Sequence, residues 1–264
     1  MMTGLRSLAH EFLIFAIKEA RACIFAGSFF ALLFLSNHIP LFGLPRYDFL
    51  FIASVLIQIV LYATKIETAE EVRHIFIFHI IGLCLELFKT SALVGSWSYP
   101  EFSYLKIATV PLYSGFMYAA VGSYLSLAWR IFDIELTGYT RYLWSVVLCI
   151  AIYANFFTDT FLPDMRWILI ALVFAFFWKT KVYFTIIRDT RRWIPLNLGF
   201  ALIAFFIWIA ENISTYLGAW KYPNQTQEWN LVAAGKITSW FLLVIICFII
   251  VAYLKHFKLM RTKI

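Results

Sequence analysis

Two glutamates stand inside long apolar runs, and each is followed by the same short pattern of glycine and aromatic residues. Glu86 precedes GSWSYP at 95–100, and Glu211 precedes GAWKYP at 218–223. An ionisable side chain at membrane depth is costly and usually marks a functional site. Two buried carboxylates of this kind can serve as general acid and general base. We therefore predict that Glu86 and Glu211 are catalytic.

The residues around the two glutamates are suited to binding an apolar or cationic ligand. Polar side chains recur on the helical faces that carry the glutamates, and aromatic side chains fill the following loops. Lys236 begins the last apolar run. The predicted binding residues are His79, Lys89, Trp97, Tyr99, Tyr113, Tyr118, Asn212, Trp220, Tyr222 and Lys236.

Each of these features also has a structural interpretation. Glu86 can pair with Lys89 or Lys106, and Glu211 can pair with Lys236, so that the acids only hold helices together. The loop aromatics can belong to the belt of Trp and Tyr residues found at membrane interfaces. The repeated spacing favours a functional role without excluding these alternatives.

Acidic residues also stand at the ends of two apolar runs. Asp48 begins one run and Asp159 ends another. At such a boundary we expect a charge in contact with solvent rather than a third catalytic acid.

The composition indicates a membrane protein. The chain has 264 residues, of which 62% are hydrophobic and 14% are charged, with a mean hydropathy of +0.81. A soluble domain carries about 25% charged residues. These values exclude an ordinary cytosolic enzyme, a disordered protein and a secreted disulfide scaffold. They predict an all-α fold, a polytopic membrane helical bundle.

About eight transmembrane helices are predicted from apolar runs near 20 residues long. Strands of a membrane barrel are excluded because these runs are too long and apolar on all faces. If the N-terminus is cytoplasmic, the cytoplasmic segments hold most of the Lys and Arg residues, so both termini are placed inside. The same asymmetry explains the net charge of +7 without nucleic acid. The predicted spans are 22–37, 48–64, 73–90, 106–129, 142–159, 166–186, 195–217 and 236–254. Residues 5–19 precede the first span and are predicted to lie along the membrane surface.

The paired loops indicate an internal repeat. Gly95, Trp97, Tyr99 and Pro100 match Gly218, Trp220, Tyr222 and Pro223 at one constant separation, and Lys106 is matched with Lys236. We predict one membrane domain with two four-span halves, 1–135 and 136–264. Since four spans return the chain to its starting side, the halves should be two parallel four-helix repeats.

Several motifs that mark other reactions are missing from the sequence. There is no HExxH, no GxSxG and no P-loop, and the five histidines are scattered. We predict no metal site and no cofactor.

The strings FHIIGLCLELFKTSALVGSWSYPE, KIATVPLYSGFMYAAVGSY and FFIWIAENISTYLGAWKYPN resemble marker segments of a domain-of-unknown-function family of bacterial integral membrane proteins, the YoaT-like proteins. The resemblance covers nearly the whole chain and implies a bacterial multi-pass membrane protein, without implying an activity. A weaker resemblance is to membrane carotenoid cyclases and hydratases, which carry an acid in a span, a G-x-W-x-Y loop and then a proline. Those enzymes follow the proline with paired glutamates, whereas Leu112 and Tyr113 stand there in this chain.

Three functions remain open from the sequence. The first is an enzyme that acts on an isoprenoid or lipid within the bilayer through its paired glutamates. The second is a transporter or lipid-handling protein with a central acidic site, and the third is a non-catalytic membrane scaffold. We expect membrane lipids and a hydrophobic small molecule as partners, no nucleic acid, and location in the bacterial inner membrane.

Overall fold

The computed structural model describes residues 2–187, 190–253 and 255, and the fold is mostly helical. Nine α-helices are found in this part of the chain, and a short 3-10 turn, Pro223–Gln225, lies between the last two. The helices are α1 Met2–Ala22, α2 Ile24–Leu35, α3 Arg46–Ala63, α4 Ala69–Lys89, α5 Ser114–Ile131, α6 Tyr142–Thr158, α7 Arg166–Phe177, α8 Leu196–Tyr216 and α9 Lys236–Ala252.

Two of the predicted spans are wrong because each contains strand. In the predicted span 106–129, strands β1 (Lys106–Ile107) and β2 (Val110–Pro111) form a hairpin before α5 begins. In the predicted span 166–186, α7 ends at Phe177 and strand β4 (Lys181–Ile187) follows. β4 pairs with β3 (Glu135–Thr137) and β5 (Thr190–Pro195) in an antiparallel sheet. The apolar β-branched residues of β4 suit this half-buried sheet.

The helix that carries Glu86 is fixed at its beginning by a capping box. The Thr68 hydroxyl accepts a hydrogen bond from the backbone N–H of Glu71, and the Glu71 carboxylate accepts one from the backbone N–H of Thr68. This arrangement satisfies two of the donors that a helix N-terminus leaves free. α4 therefore starts at a defined residue, and Glu86 falls in its last turn.

The centre of the molecule is built on α5 and α9. Almost every residue of α9 between Phe241 and Ala252 is buried, as are most residues of α5. The other long helices bury only one face against them. Burial of so much apolar surface around two helices is the main stabilising term of the fold.

The same helix contacts occur in the first and second parts of the chain. α2 packs on α5 as α6 packs on α9, and α4 packs on α5 as α8 packs on α9. The pairs α2–α3 and α3–α4 likewise correspond to α6–α7 and α7–α8. α5 and α9 also contact each other, which joins the two sets.

Among the described residues, two helices are long and apolar enough to cross a membrane: Arg46–Ala63 and Leu196–Tyr216. Four further apolar helices are shorter, namely α2, α6, α7 and α9.

The sequence match between Lys106 and Lys236 is not a structural one. Lys106 lies in strand β1, whereas Lys236 is the first residue of α9. The residue that begins the corresponding helix α5 is Ser114. The β1–β2 hairpin separates Lys106 from that helix, so the two lysines occupy different positions.

Candidate functional site

Glu86 is almost completely buried and accepts three hydrogen bonds. Its side chain lies in the last turn of α4, where the residue is 2% exposed. The Trp97 indole N–H and the Tyr99 hydroxyl both donate to Oε2 at 2.7 Å. The Tyr118 hydroxyl of α5 donates to Oε1 at 2.7 Å. Three donors fill most of the acceptor capacity of a carboxylate, so the acid is held in one orientation.

Glu211 repeats this arrangement at the end of α8. The residue is 3% exposed, and the Tyr222 hydroxyl donates to its Oε1. The Trp240 indole N–H of α9 donates to Oε2 at 2.7 Å. Each glutamate therefore receives a hydroxyl from the tyrosine of its own GxWxY segment. Each also receives a donor that lies one turn into the helix that follows, Tyr118 in α5 and Trp240 in α9.

Lys236 lies between the two acids. Its ammonium is 5.4 Å from the centre of the Trp97 ring and 4.6 Å from the centre of the Tyr222 ring. These two rings meet edge to face at 6.1 Å, and they are hydrogen-bonded to Glu86 and Glu211 respectively. Lys236 interacts electrostatically with both carboxylates. We call Glu86, Glu211, Lys236 and the five aromatic donors and faces around them (Trp97, Tyr99, Tyr118, Tyr222 and Trp240) the acid pair site.

The two aromatic loops, 91–105 and 217–235, are joined directly to each other. Ser98 and Lys221 exchange two backbone N–H to carbonyl hydrogen bonds of 2.9 Å, which make an isolated antiparallel bridge. These residues occupy the same position in GSWSYP and GAWKYP. The leading glycines, Gly95 and Gly218, both have positive φ angles, 57° and 75°, which a residue without Cβ adopts at little cost. A reciprocal bridge between matched residues has a local two-fold axis.

Further contacts attach the loops to the bundle. The Arg46 guanidinium donates to the Leu217 carbonyl at 2.6 Å and to Glu101 at 2.6 Å, so it closes the C-terminal end of α8. The Tyr113 hydroxyl donates to the Ala219 carbonyl. Asp48 is 1% exposed and accepts hydrogen bonds from the backbone of Tyr104 and Leu105, both at 2.9 Å. The expectation that Asp48 is solvated was wrong, because this acid holds the first aromatic loop.

Five predicted binding residues are part of the acid pair site, namely Trp97, Tyr99, Tyr118, Tyr222 and Lys236. Five others contact neither carboxylate among the described interactions. Lys89 forms a 2.6 Å ion pair with Asp159, which was also expected to be solvated. The Asn212 side chain donates a hydrogen bond to the Trp208 carbonyl and accepts one from the Val232 backbone N–H. Tyr113 is bound to the second aromatic loop.

The remaining two of these five residues are packed among aromatic side chains. His79 packs on the Phe116 ring at 4.7 Å and lies against Gly115. Trp220 is 6% exposed within the aromatic core. Trp220 is also hydrogen-bonded to Tyr222 of the acid pair site, and a binding role for these two residues stays a prediction.

Trp240 is the residue of the site that the sequence motifs missed. It lies outside both GxWxY segments, one turn into α9. Aligning the two halves by the starts of α5 and α9, rather than by Lys106 and Lys236, would have matched Trp240 with Tyr118. The alternative in which Glu86 is bound by Lys89 is wrong, since Lys89 is paired with Asp159. In the described part of the chain there is no group of three or more His, Cys, Asp and Glu side chains that could hold a metal ion.

Comparisons with known proteins identify a family but not an activity. The family model described as "Protein of unknown function (DUF817)" matches residues 11–248. The "Uncharacterized protein YoaT" of Bacillus subtilis (strain 168) is 50% identical over 257 residues, which are 97% of this chain and 95% of that protein. A solved crystal structure of a cross-linked MvINS trimer is similar at 12% identity with a TM-score of 0.48, over 70% of this chain and 93% of that chain.

Proposed function

This chain belongs to the DUF817 family, and from that premise we propose that it is a bacterial multi-pass membrane enzyme whose paired glutamates exchange a proton with an isoprenoid or lipid. One observation carries the proposal. Glu86 and Glu211 are buried acids in matched surroundings, and a single cation, Lys236, lies between them. Two carboxyl groups beside one cation make a site in which one group can hold a proton while the other, ionised, can receive one.

This arrangement suits isomerisation or cyclisation of an alkene without a cofactor. One glutamic acid donates its proton to a carbon of a C=C bond, and the adjacent carbon becomes a carbocation. The second glutamate, as a carboxylate, removes a proton from a neighbouring carbon, and a new C=C bond forms. Protons and electrons balance, and the two acids exchange roles for the next turnover.

The aromatic rings supply the second requirement, which is stabilisation of positive charge. Trp97 and Tyr222 already hold the ammonium group of Lys236 over their faces. The negative face of an aromatic ring attracts any nearby cation, including a carbocation. A substrate that displaced the lysine side chain would find the same faces. In the described conformation Lys236 fills this position, so substrate entry requires the lysine to move.

Membrane location is part of the proposal. It is supported by the low charge content, by the two helices that are long enough to cross a bilayer, and by the positively charged connecting segments. α4 and α8 end at the aromatic loops, and α5 and α9 begin there. The two loops therefore lie at one end of the bundle, as the proposed parallel halves require.

A transporter is the second candidate, and the position of the site favours it. The two acids lie on either side of the contact between the proposed halves, where the Ser98–Lys221 bridge joins them. Transporters built from repeats bind their substrates at such a contact. In this case the acids would carry a proton between two states of the protein rather than pass it to a substrate.

The test compares lipid extracts of a deletion strain complemented with wild type, Glu86→Gln or Glu211→Gln. Glutamine can keep the hydrogen bonds, because its carbonyl accepts from the indole while a tyrosine hydroxyl turns to accept from its amide. The variants should therefore accumulate in membranes at the wild-type level. We expect each variant to convert the lipid that accumulates in the deletion strain at least about 100-fold more slowly than wild type, because a general acid or base usually contributes this much.

The control is Glu228→Gln, since Glu228 is an exposed acid of the second aromatic loop and is not hydrogen-bonded to the site. It should behave as wild type in the same extracts. Unchanged lipids together with altered uptake into vesicles would support the transporter instead. If the two glutamine variants reach the membrane in much smaller amounts than the control, the acids serve only the fold.

A further inference from the structure

A groove at the other end of the bundle has the shape and chemistry of an amphiphile site. It lies between the end of α7 and the segment after β3, with a volume of about 460 Å³. The segments that follow β3 and precede β4 are in close contact there, because a Cβ on Gly138 would approach the Lys179 backbone carbonyl. The lining residues are Gly138, Thr140, Phe174, Ala175, Phe176, Trp178 and Lys179. They include one cation and no acid.

The polar end of the groove is formed by Lys179 and Thr140. Both residues line the groove, and Lys179 is exposed. Among the described residues its ammonium has no ion pair or hydrogen bond, whereas Arg191 and Arg192 of the adjoining sheet are paired with Glu135 and Glu11. An ammonium without such a partner and a hydroxyl in the same groove can together bind the oxygens of a phosphate group.

The apolar end continues along the outside of α7. Trp178 is 76% exposed and Phe174 is 42% exposed at the groove. On the same face farther down the helix, Ala171 is exposed and Trp167 is 72% exposed, and the four residues follow one another at helical spacings of four, three and four. This stripe is about 18 Å long for a helix of 12 residues and can accommodate an acyl chain.

From these features we infer that the groove binds one anionic phospholipid, with its phosphate at Lys179 and Thr140 and an acyl chain along α7. The inference rests on the proposed membrane location and not on the acid pair site. A free phosphate would use only the polar end and would leave the aromatic wall exposed. The cytoplasmic leaflet, where the positively charged segments place this end, carries anionic lipids.

The test uses the full-length protein purified in detergent. Thermal unfolding is followed while phosphatidylglycerol, phosphatidylcholine or inorganic phosphate is added, and bound lipid is counted by native mass spectrometry. Phosphatidylglycerol should raise the unfolding temperature more than phosphatidylcholine, and inorganic phosphate should have no effect. Lys179→Gln should weaken phosphatidylglycerol binding about fivefold, the contribution of one lysine near an anionic surface.

Lys65→Gln is the matched control, because Lys65 is an exposed lysine in the loop before α4, away from the groove. The Lys65→Gln protein should bind phosphatidylglycerol as wild type does. Thr140→Val should weaken this binding, although it removes no charge. Equal binding by Lys179→Gln and wild type, or an equal effect of inorganic phosphate, would overturn the inference. Glu86→Gln protein should still bind the lipid, so loss of conversion in that variant and loss of lipid binding at the groove are distinguishable failures.

Discussion

A buried carboxylate, Glu67, illustrates how a single residue can make stability depend on pH. Glu67 lies between α3 and α4 and is 1% exposed. The Ser123 hydroxyl donates to it at 2.6 Å, and the Gln58 amide donates to its other oxygen. Burial raises the pKa of Glu67, and these two hydrogen bonds oppose the shift without cancelling it. The folded protein therefore favours the protonated form more than the unfolded chain does.

The sign of the pH effect follows from this shift. An acid whose pKa is raised on folding stabilises the protein fully below its unfolded pKa, about 4.3, and the contribution is lost as the pH rises through the folded pKa. Glutamine does not ionise, so Glu67→Gln removes the loss of stability at higher pH. Gln58 can turn its unpaired Oε1 to accept a hydrogen bond from the new amide. We expect the variant to unfold at the wild-type temperature near pH 4 and at a higher temperature at pH 8.

Thermal unfolding of purified protein between pH 4 and pH 8 measures this difference. Glu228→Gln serves as the control for loss of an exposed acid and should follow the wild-type curve. A Glu67→Gln protein that is less stable than wild type at pH 8 would show that the negative charge of Glu67 is needed in the fold.

At the level of individual residues, the sequence predicted the two acids and half of their surroundings. Glu86, Glu211 and the loop aromatics were found because a repeated motif carries them. Trp240 was missed because the motif ends before α9. His79 and Trp220 do not contact the carboxylates among the described interactions, because residue type and spacing do not fix the direction in which a helix or loop turns a side chain.

The contact between α4 and α5 depends on glycine, and it positions Tyr118 against Glu86. A Cβ added to Gly82 would overlap the Tyr118 ring, and one added to Gly122 would overlap the Phe78 ring. Because glycine has no Cβ at these two positions, each helix leaves space for an aromatic ring of the other. The close approach of the helices and the hydrogen bond to Glu86 have the same origin.

Gly82→Ala and Gly122→Ala should each destabilise the protein by about 1–3 kcal/mol, the usual cost of overpacking a core. Gly27→Ala is the control, since Gly27 lies in helix α2 with no atom within 4 Å of the added Cβ. That substitution should leave stability unchanged or raise it by up to about 1 kcal/mol. Unfolding in denaturant compares the three, and equal stability of Gly82→Ala and Gly27→Ala would show that the helices separate without cost.

Elements were predicted well where the pattern was long and uniform. α8 and α9 begin and end within a few residues of the predicted spans. The prediction failed at Lys181–Ile187. An apolar run that follows a helix directly does not show where the helical period of the side chains ends and the strand period begins. The β-branched residues Val182, Thr185, Ile186 and Ile187 were the available signal.

At the scale of the whole molecule, the position of the two aromatic loops makes a topology prediction. Single cysteines replace Leu93 in the first loop, Leu231 in the second loop and Lys65 at the opposite end, in a protein whose own four cysteines have been removed. Leu93 is 81% exposed and Leu231 is 60% exposed. A membrane-impermeant thiol reagent should label both loop positions in intact cells and should label Lys65→Cys only after permeabilisation.

Labelling of one loop from outside and the other from inside would contradict parallel halves. Labelling of Lys65→Cys in intact cells would place the termini outside. Each wrong outcome therefore identifies a different error in the proposed membrane arrangement.

The reciprocal bridge between Ser98 and Lys221 also bears on the origin of the fold. A contact in which a position meets its own counterpart is isologous, the type that two identical chains make around a two-fold axis. A half-length ancestor could have made the same bridge as a homodimer, with one carboxylate supplied by each subunit. On the proposed duplication, fusion of two such genes would free the copies to diverge, which would account for the longer second loop and for the single lysine between the acids.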